Sequence, residues 1–263
     1  MASAARGFLA TPFPTGYDPG VLNLLRRRPT PPTALTVGSR EVPLRIRQST
    51  RARRVTLRID AGAAAIELVV PRRVPLAFAL DFVAARRDWI AARISAMPEH
   101  VAFAPGATIP VLGIPHNIRH VGERPPAGRR VVEIADGEIR VSGDPSHVAR
   151  RVRDHLVALA RQEVTRRAKA LAAHIDRRVV RVSVRDTRSR WGSCSATGNL
   201  AFSWRLILAP EPVLDYVVAH EVAHLIEMNH GPRFWRLVEN LAPGSAPLRS
   251  WLKRHRSQLL AYG

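Results

Sequence analysis

The motif His220-Glu221-x-x-His224 constrains the fold of this chain more than any other feature of its sequence. It lies in a segment that starts after Pro210 and carries apolar residues at helical spacing, which predicts a helix from about Glu211. Residues i and i+4 of a helix lie on the same face, roughly 5–6 Å apart at Cβ. The two imidazole rings can therefore converge on one metal ion.

The residue between the two histidines adds chemistry to the motif. Zn²⁺ binds imidazole nitrogens at about 2.0–2.1 Å, so His220 and His224 suit it as ligands. Glu221 points about 100° away from His220 around the helix, which places it beside the metal and not on it. A carboxylate there can take a proton from metal-bound water and pass it to a leaving group. The motif therefore predicts a zinc-dependent hydrolase with Glu221 as its catalytic base.

A third protein ligand is needed for such a site, and two downstream residues are candidates. On an unbroken helix, His230 would lie about 9 Å beyond His224 and off its face. Asn229 and the pair Gly231-Pro232 are typical of a helix end, and a turn there would bring His230 back toward the ion. The alternative is Glu239 on the next predicted helix. We favour His230.

Three segments in and around the motif carry a likeness to a known family. They are Arg190–Ser195 (RWGSCS), Asn199–Pro210 (NLAFSWRLILAP) and Tyr216–Trp235 (YVVAHEVAHLIEMNHGPRFW), with further likeness at Arg51–Leu57, Val70–Arg73 and Asp88–Ile90. Over roughly residues 40–257, the chain resembles the YgjP-like family of zinc metallopeptidases, a relative of the WLM and SprT-like groups. The resemblance implies a zincin-like catalytic domain, with zinc ligands His220, His224 and His230 and Glu221 as acid and base.

The order of predicted elements divides the chain into three parts and predicts an α+β fold. Residues 1–36 are rich in proline and arginine and are expected to form a flexible extension. Residues 37–143 are expected to form a β-rich domain with one amphipathic helix. Residues 144–263 are expected to form the zincin-like metallohydrolase domain with its HExxH helix.

Hydrophobic periodicity and turn residues predict the elements of these domains. In the β-rich part we expect three strands between Val42 and Val70, a helix over Leu76–Met97, and short strands from Val101 to Val141 with a hairpin at Asp136-Gly137. In the last part we expect a helix from Pro145 to about Ile175, strands at Arg178–Asp186 and Asn199–Leu208, a loop at Ser189–Ser195, and a helix over Phe234–Leu241.

The loop that contains Arg190 and Trp191 is open to two interpretations. In one, either of these residues lines the active-site cleft. In the other, Trp191 anchors the core, Gly192 meets a backbone requirement and Cys194 fills a small buried space. The sequence assigns no substrate-binding residue.

Composition limits the partners and the compartment. The formal net charge of +20 favours a polyanion such as nucleic acid, although the arginines occur in scattered pairs and not in one stripe. A single cysteine excludes an internal disulfide and a cysteine-only zinc site. No apolar run reaches the length of about 18 residues that a membrane helix needs, and no secretory signal is present. We therefore expect a cytoplasmic protein without a membrane partner.

These observations favour a zinc metallopeptidase that acts on a protein or peptide substrate. Two alternatives stay open. A metal-dependent hydrolase of a nucleotide phosphoanhydride would use the many arginines, but no phosphate-binding glycine loop is present. The other is a nucleic-acid-associated protease of the SprT or WLM type. A purely structural zinc site is disfavoured because it would have no use for Glu221.

Overall fold

Two compact units make up the chain in the computed structural model, which describes residues 33–37, 40–60, 65–124 and 130–263. One unit ends at Met97, and the other extends from Pro98 to Gly263. The division therefore differs from the predicted boundary between residues 143 and 144. Residues 1–32 of the predicted extension lie outside the described residues, and Ala34 already begins a strand.

The first unit contains one four-stranded sheet followed by two helices. Its elements are β1 (Ala34–Val37), β2 (Arg40–Ser49), β3 (Thr56–Asp60), β4 (Ala65–Pro71), α1 (Leu76–Ala84) and α2 (Arg87–Ser95). The strand order is β1-β2-β4-β3, with β2 and β4 parallel and the outer pairs antiparallel. The three strands predicted between Val42 and Val70 are confirmed.

The single helix predicted over Leu76–Met97 is wrong, because the chain breaks it at Ala85 and Arg86. The amide of Arg86 donates to the carbonyl of Val83 and so closes a tighter turn. The guanidinium of Arg86 lies 3.6 Å from the centre of the Phe82 ring. The break lets the apolar faces of both short helices join one core, in which Phe82 and Ile90 are buried.

A second four-stranded sheet belongs to the other unit. It consists of β5 (Thr108–Val111), β6 (Ile114–His120), β7 (Val132–Ala135) and β8 (Glu138–Val141), in the order β5-β6-β8-β7. Its parallel centre and antiparallel edges repeat the pairing of the first sheet. The predicted hairpin is confirmed, since Asp136 and Gly137 have φ of 54° and 73°, as a two-residue turn between strands requires.

This sheet shares its core with the helix that follows it, which explains the displaced unit boundary. A short 3₁₀ helix at Pro145–His147 leads into α3 (Val148–His174), close to the predicted helix. One face of α3 is buried in the same hydrophobic cluster as the sheet. The shared residues are Ile109, Val111, Ile118, Val132, Ile139 and Val141 from the strands and Val148, Val152, Leu156, Ala160, Val164 and Ala168 from α3.

The third sheet lies next to the HExxH helix in sequence and in space. It contains β9 (Arg181–Arg185), β10 (Gly192–Cys194) and β11 (Asn199–Ser203) in the order β10-β11-β9. Two predictions are corrected here. The segment expected to be a loop contains strand β10, and the strand expected over Asn199–Leu208 ends at Ser203 and continues as a 3₁₀ helix, Trp204–Leu208. All five residues of this 3₁₀ helix are buried.

Four helices complete the unit. They are α4 (Glu211–Ala223), α5 (Pro232–Leu241), α6 (Ser245–Arg254) and α7 (Arg256–Leu260). None of the helices in the described ranges is both long and apolar enough to cross a membrane. The observed architecture is a mixture of helices and sheets, as the α+β prediction states.

Candidate metal centre

Helix α4 ends within the HExxH motif: its last four residues are His220–Ala223, and His224 is the C-cap residue. Pro210 caps the helix, and a second proline in its first turn suits a position where the backbone N–H has no helical acceptor. Most of the helix is buried, through Val213, Leu214, Tyr216, Val217, Val218, Ala219, Glu221, Val222 and Ala223. This packing fixes the helix, so the side chains at its C-terminal end are held in place by the core.

The chain reverses direction immediately after the motif. Helix α4 ends at Ala223, earlier than the predicted end near Asn229. The amides of Leu225 and Glu227 donate to the carbonyls of Val222 and Ala223, which closes the last turn. Pro232 then opens α5 after an irregular segment. The fold-back that the sequence predicted therefore occurs.

The reversal brings three histidines together. One ring nitrogen from each of His220, His224 and His230 lies within 4.8 Å of the others, and within the described ranges these are the residues grouped closely enough to share an ion. The Nε2 atoms of His220 and His230 are 3.1 Å apart. The ring centres are 5.1 Å apart for His220–His224 and 4.7 Å apart for His224–His230. This is the arrangement expected for three ligands of one tetrahedral metal.

Glu239, the alternative third ligand, does not join the cluster. Its carboxylate accepts hydrogen bonds from the amides of Gly244 and Ser245, at 2.6 and 3.2 Å, and from the Ser245 hydroxyl at 2.7 Å. These bonds lower the pKa of Glu239. The residue therefore caps the start of α6, where a negative charge is favourable.

The electrostatics of the cluster keep the imidazole rings neutral. Burial and the neighbouring rings of His224 and His230 lower the pKa of His220 to about 3. The buried Nδ1 of His220 has no hydrogen-bond partner in the described part of the chain, so a charged ring would lack an acceptor. Burial also lowers the pKa values of His224 and His230. A neutral imidazole is the form that binds a metal.

One hydrogen bond determines which ring nitrogen of His224 is available to bind a metal. Its Nδ1 lies 3.0 Å from the carbonyl oxygen of Glu227 and must donate to it, because that oxygen can only accept. The proton therefore resides on Nδ1, and Nε2 keeps its lone pair. Metal-binding histidines commonly use a backbone carbonyl in this way to set the tautomer and the ring orientation.

Glu221 lies beside the histidines and in close contact with strand β10. Its side chain is buried, with 5% of its surface exposed. A Cβ atom at Gly192 would lie 2.5 Å from both Cγ and Oε1 of Glu221, closer than real Cβ contacts allow. Burial raises the pKa of Glu221 to about 7, against the opposing charge of Arg190. The carboxyl group can therefore accept and release a proton near neutral pH.

The contact between Gly192 and Glu221 bears on the two interpretations of the segment that contains Arg190 and Trp191. Gly192 is needed because the Glu221 carboxylate occupies the space of a side chain. Trp191 is half-buried, packs on the core, and lies 5.6 Å from the guanidinium of Arg256. Cys194 donates a hydrogen bond to the carbonyl of Ser195 and does not belong to the histidine group. Trp191 thus matches the core interpretation.

Aromatic rings surround the cluster, and sequence reasoning missed them. The ring of Phe234 stacks on His224 at 4.5 Å and lies 4.6 Å from the ring of His230. Trp235 lies 5.8 Å from both His220 and His230. The only signal in the sequence was the position of both aromatic residues directly after His230. These rings pack directly against the imidazoles of the cluster.

The chain matches a protein-family model and is similar to a solved structure. The family model described as "YgjP-like, metallopeptidase domain" matches residues 53–255. No curated protein matches the sequence. Among solved structures, the zymogen of the Pyrococcus abyssi metallopeptidase abylysin is similar over 35% of this chain and 92% of its own, with 23% identity and a TM-score of 0.31.

Proposed function

Because this chain belongs to the YgjP-like family of metallopeptidase domains, we propose that it is a zinc-dependent peptidase with Glu221 as its general base. The observation that carries the proposal is the meeting of three imidazole nitrogens within 4.8 Å of one another, with a buried carboxylate on the adjacent residue. A structural site would have no need of that carboxylate.

The donor set supports zinc as the metal. His220, His224 and His230 would hold it, and three neutral imidazoles suit zinc better than magnesium or calcium, which prefer oxygen ligands. Three protein ligands leave a fourth position for water, as in catalytic zinc sites. When bound, zinc supplies a water molecule of lowered pKa and polarises the carbonyl group of the substrate.

One carboxylate of the chain, that of Glu221, carries out the proton transfers. It takes a proton from the attacking water and delivers it to the nitrogen of the departing amine. Its burial disfavours the charged form, which makes the carboxyl group able to hold that proton between the two steps. The close backbone of Gly192 limits the positions that the Glu221 carboxylate can take.

A direct assay tests the proposal. The purified protein should contain about one equivalent of zinc and should cleave peptides from a mixed library, and a chelator should abolish the cleavage. Replacing both His220 and His224 by alanine should remove the zinc. Full occupancy by zinc in that double variant, or cleavage that survives chelation, would contradict the proposal.

Hydrolysis of a nucleotide phosphoanhydride is the second candidate, and the arginines near the cluster favour it. Arg177 and Arg178 line a cavity that reaches His224. Release of inorganic phosphate from nucleoside triphosphates by the zinc-loaded protein, without any peptide cleavage, would favour this activity over the first.

A further inference from the structure

A cavity of about 270 Å³ adjoins the histidine cluster on the side of His224. Its walls also include Arg177, Arg178, Thr197 and Met228. Sites for drug-sized ligands occupy roughly 300–1,000 Å³, so this cavity is suited to one side chain of a larger substrate. A peptide whose scissile bond lies at the cluster would have a neighbouring residue within reach of it.

The arginine side of the cavity carries positive charge without a paired carboxylate. Arg177 and Arg178 follow the end of α3, and both are exposed. The guanidinium of Arg177 donates to the backbone carbonyl of Asp176 at 3.2 Å. Within the described ranges, neither arginine forms an ion pair. Both charges are therefore available to a ligand.

Another part of the cavity wall is a turn held by its own hydrogen bonds. The hydroxyl oxygens of Ser195 and Thr197 are 2.9 Å apart, and the side-chain amide of Asn199 donates to Thr197 at 2.8 Å. The backbone amide of Asn199 donates to the Ser195 hydroxyl at 3.1 Å. The side chains of Ser195 and Thr197, which both line the cavity, are therefore held in place by these bonds.

Part of the cavity wall is apolar. Leu225 and Met228 line it, and Met228 exposes 49% of its surface. An exposed apolar residue in the wall can cover the aliphatic part of a bound side chain. A side chain that is aliphatic near its backbone and anionic at its tip could contact both the apolar wall and the arginines.

Positive charge also lies on other sides of the cluster. The guanidinium of Arg249 is 5.0 Å from the ring of Trp235, and that ring is 5.8 Å from His220. Arg190 precedes the glycine that contacts Glu221 by two residues. The surroundings of the cluster therefore favour an anionic substrate as a whole, and the cavity gives one anionic group a defined place.

We propose that this cavity is a subsite for an acidic side chain of a peptide substrate, with Arg177 and Arg178 binding its carboxylate. The proposal rests on the proposed peptidase function. Arginine suits the role because its planar guanidinium can donate two parallel hydrogen bonds to one carboxylate. The subsite would select peptides with glutamate or aspartate at one position relative to the scissile bond.

Binding to an inactive variant tests the subsite independently of turnover. The Glu221→Gln protein, loaded with zinc, is titrated with fluorescent neutral peptides in which a single glutamate is moved along the sequence, at about 0.15 M salt. We expect one register to bind about tenfold more tightly than its glutamine counterpart, as for one charge-assisted hydrogen bond. Adding Arg177→Ala and Arg178→Ala should remove this preference.

An exposed arginine elsewhere provides the matched control. Arg161 lies on α3 and does not line the cavity. Arg161→Ala should leave the glutamate preference unchanged. Equal affinity for all registers, or an equal loss in the Arg161 variant, would overturn the subsite and would indicate diffuse attraction by the positive surface. Tighter binding of a single-stranded oligonucleotide with the same dependence on Arg177 and Arg178 would overturn the assignment to a peptide.

A charge reversal gives a second, constructive test. Replacing both Arg177 and Arg178 by glutamate should reverse the preference at that register from glutamate to lysine, and failure to do so would count against the proposal. Cleavage by the wild-type protein tests the peptidase function separately. Peptide cleavage without a glutamate preference would refute the subsite alone, whereas a glutamate preference in binding without cleavage would refute the peptidase function alone.

Discussion

The Nε2 atoms of His220 and His230 lie 3.1 Å apart, although one residue belongs to a helix and the other to the irregular segment after it. Two neutral imidazole nitrogens at this distance can share a proton or a metal ion. The third ring, His224, faces the same point, and its Nδ1 proton is already committed to a backbone carbonyl. One shared ion would give a partner to one nitrogen of each ring.

The ligand set leads to the first prediction. His230→Ala should weaken zinc binding by at least about 100-fold. Loss of a residue that only orients a ligand costs about 10- to 100-fold, and this variant loses a ligand itself. The matched variant Glu239→Gln should keep its zinc and show a lower melting temperature, since the carboxylate of Glu239 caps α6. Competition with a chelator and thermal unfolding measure the two effects. Zinc loss in the Glu239 variant alone would reverse our assignment.

The contact between Gly192 and Glu221 leads to the second prediction. A methyl group at Gly192 would lie 2.5 Å from the Glu221 side chain, so Gly192→Ala should displace the carboxylate and lower kcat by about 10- to 100-fold. Zinc content should not change. The control is Gly231→Ala, whose added methyl group has open space and whose φ is −80°. Similar kinetics in both variants would show that the contact does not position Glu221.

A third prediction concerns the single thiol. Burial and the nearby Glu221 carboxylate raise the pKa of Cys194 to about 11. The rate of alkylation in the folded protein should therefore rise steadily between about pH 7 and pH 10 without a plateau, whereas the unfolded chain should titrate near pH 8.5. A plateau near pH 8.5 in the folded protein would contradict this environment.

The same pKa difference predicts a direction for stability. The folded thiol keeps its proton to a higher pH than the unfolded thiol does. The stabilisation that results is fully present below the unfolded pKa and is lost as the pH rises through the folded pKa of about 11. Cys194→Ser should remove this alkaline dependence, which denaturant titrations at increasing pH would measure.

A buried ion pair gives the fourth prediction. Arg205 is 1% exposed, and its guanidinium bonds to Asp186, which also pairs with Arg153 at 2.8 Å. Asp186→Ala leaves a buried charge unpaired and should lower the free energy of unfolding by about 3 kcal/mol. Asp154→Ala breaks only the exposed pair with Arg150, so it should cost less than about 0.5 kcal/mol. Equal effects in denaturant titrations would contradict this ranking.

Local sequence patterns predicted much of the fold and of the site. The hairpin at Asp136-Gly137 follows from turn chemistry confined to two residues. The approach of His230 follows from the helix-ending residues beside it. In both cases the residues that decide the geometry are close together in the sequence.

What the sequence could not predict depends on distant partners. The break at Ala85 and Arg86 contains neither proline nor glycine, and it arises because both short helices pack on one core. Strand β10 exists because Ser193 pairs with Ala201 of β11. Periodicity also cannot show which apolar faces pack together. The predicted boundary between residues 143 and 144 therefore separates the second sheet from α3, although the two share one core.

The Glu221→Gln variant tests the central claim most directly, with zinc content and peptide cleavage measured on the same preparation. The account predicts about one equivalent of bound zinc, because Glu221 is not a ligand, and a cleavage rate lower by about 10²–10⁴-fold, because the general base is lost. Loss of zinc together with activity would make Glu221 a ligand. Retained activity in the zinc-loaded variant would show that the proton is transferred by another group, and either result would contradict the mechanism.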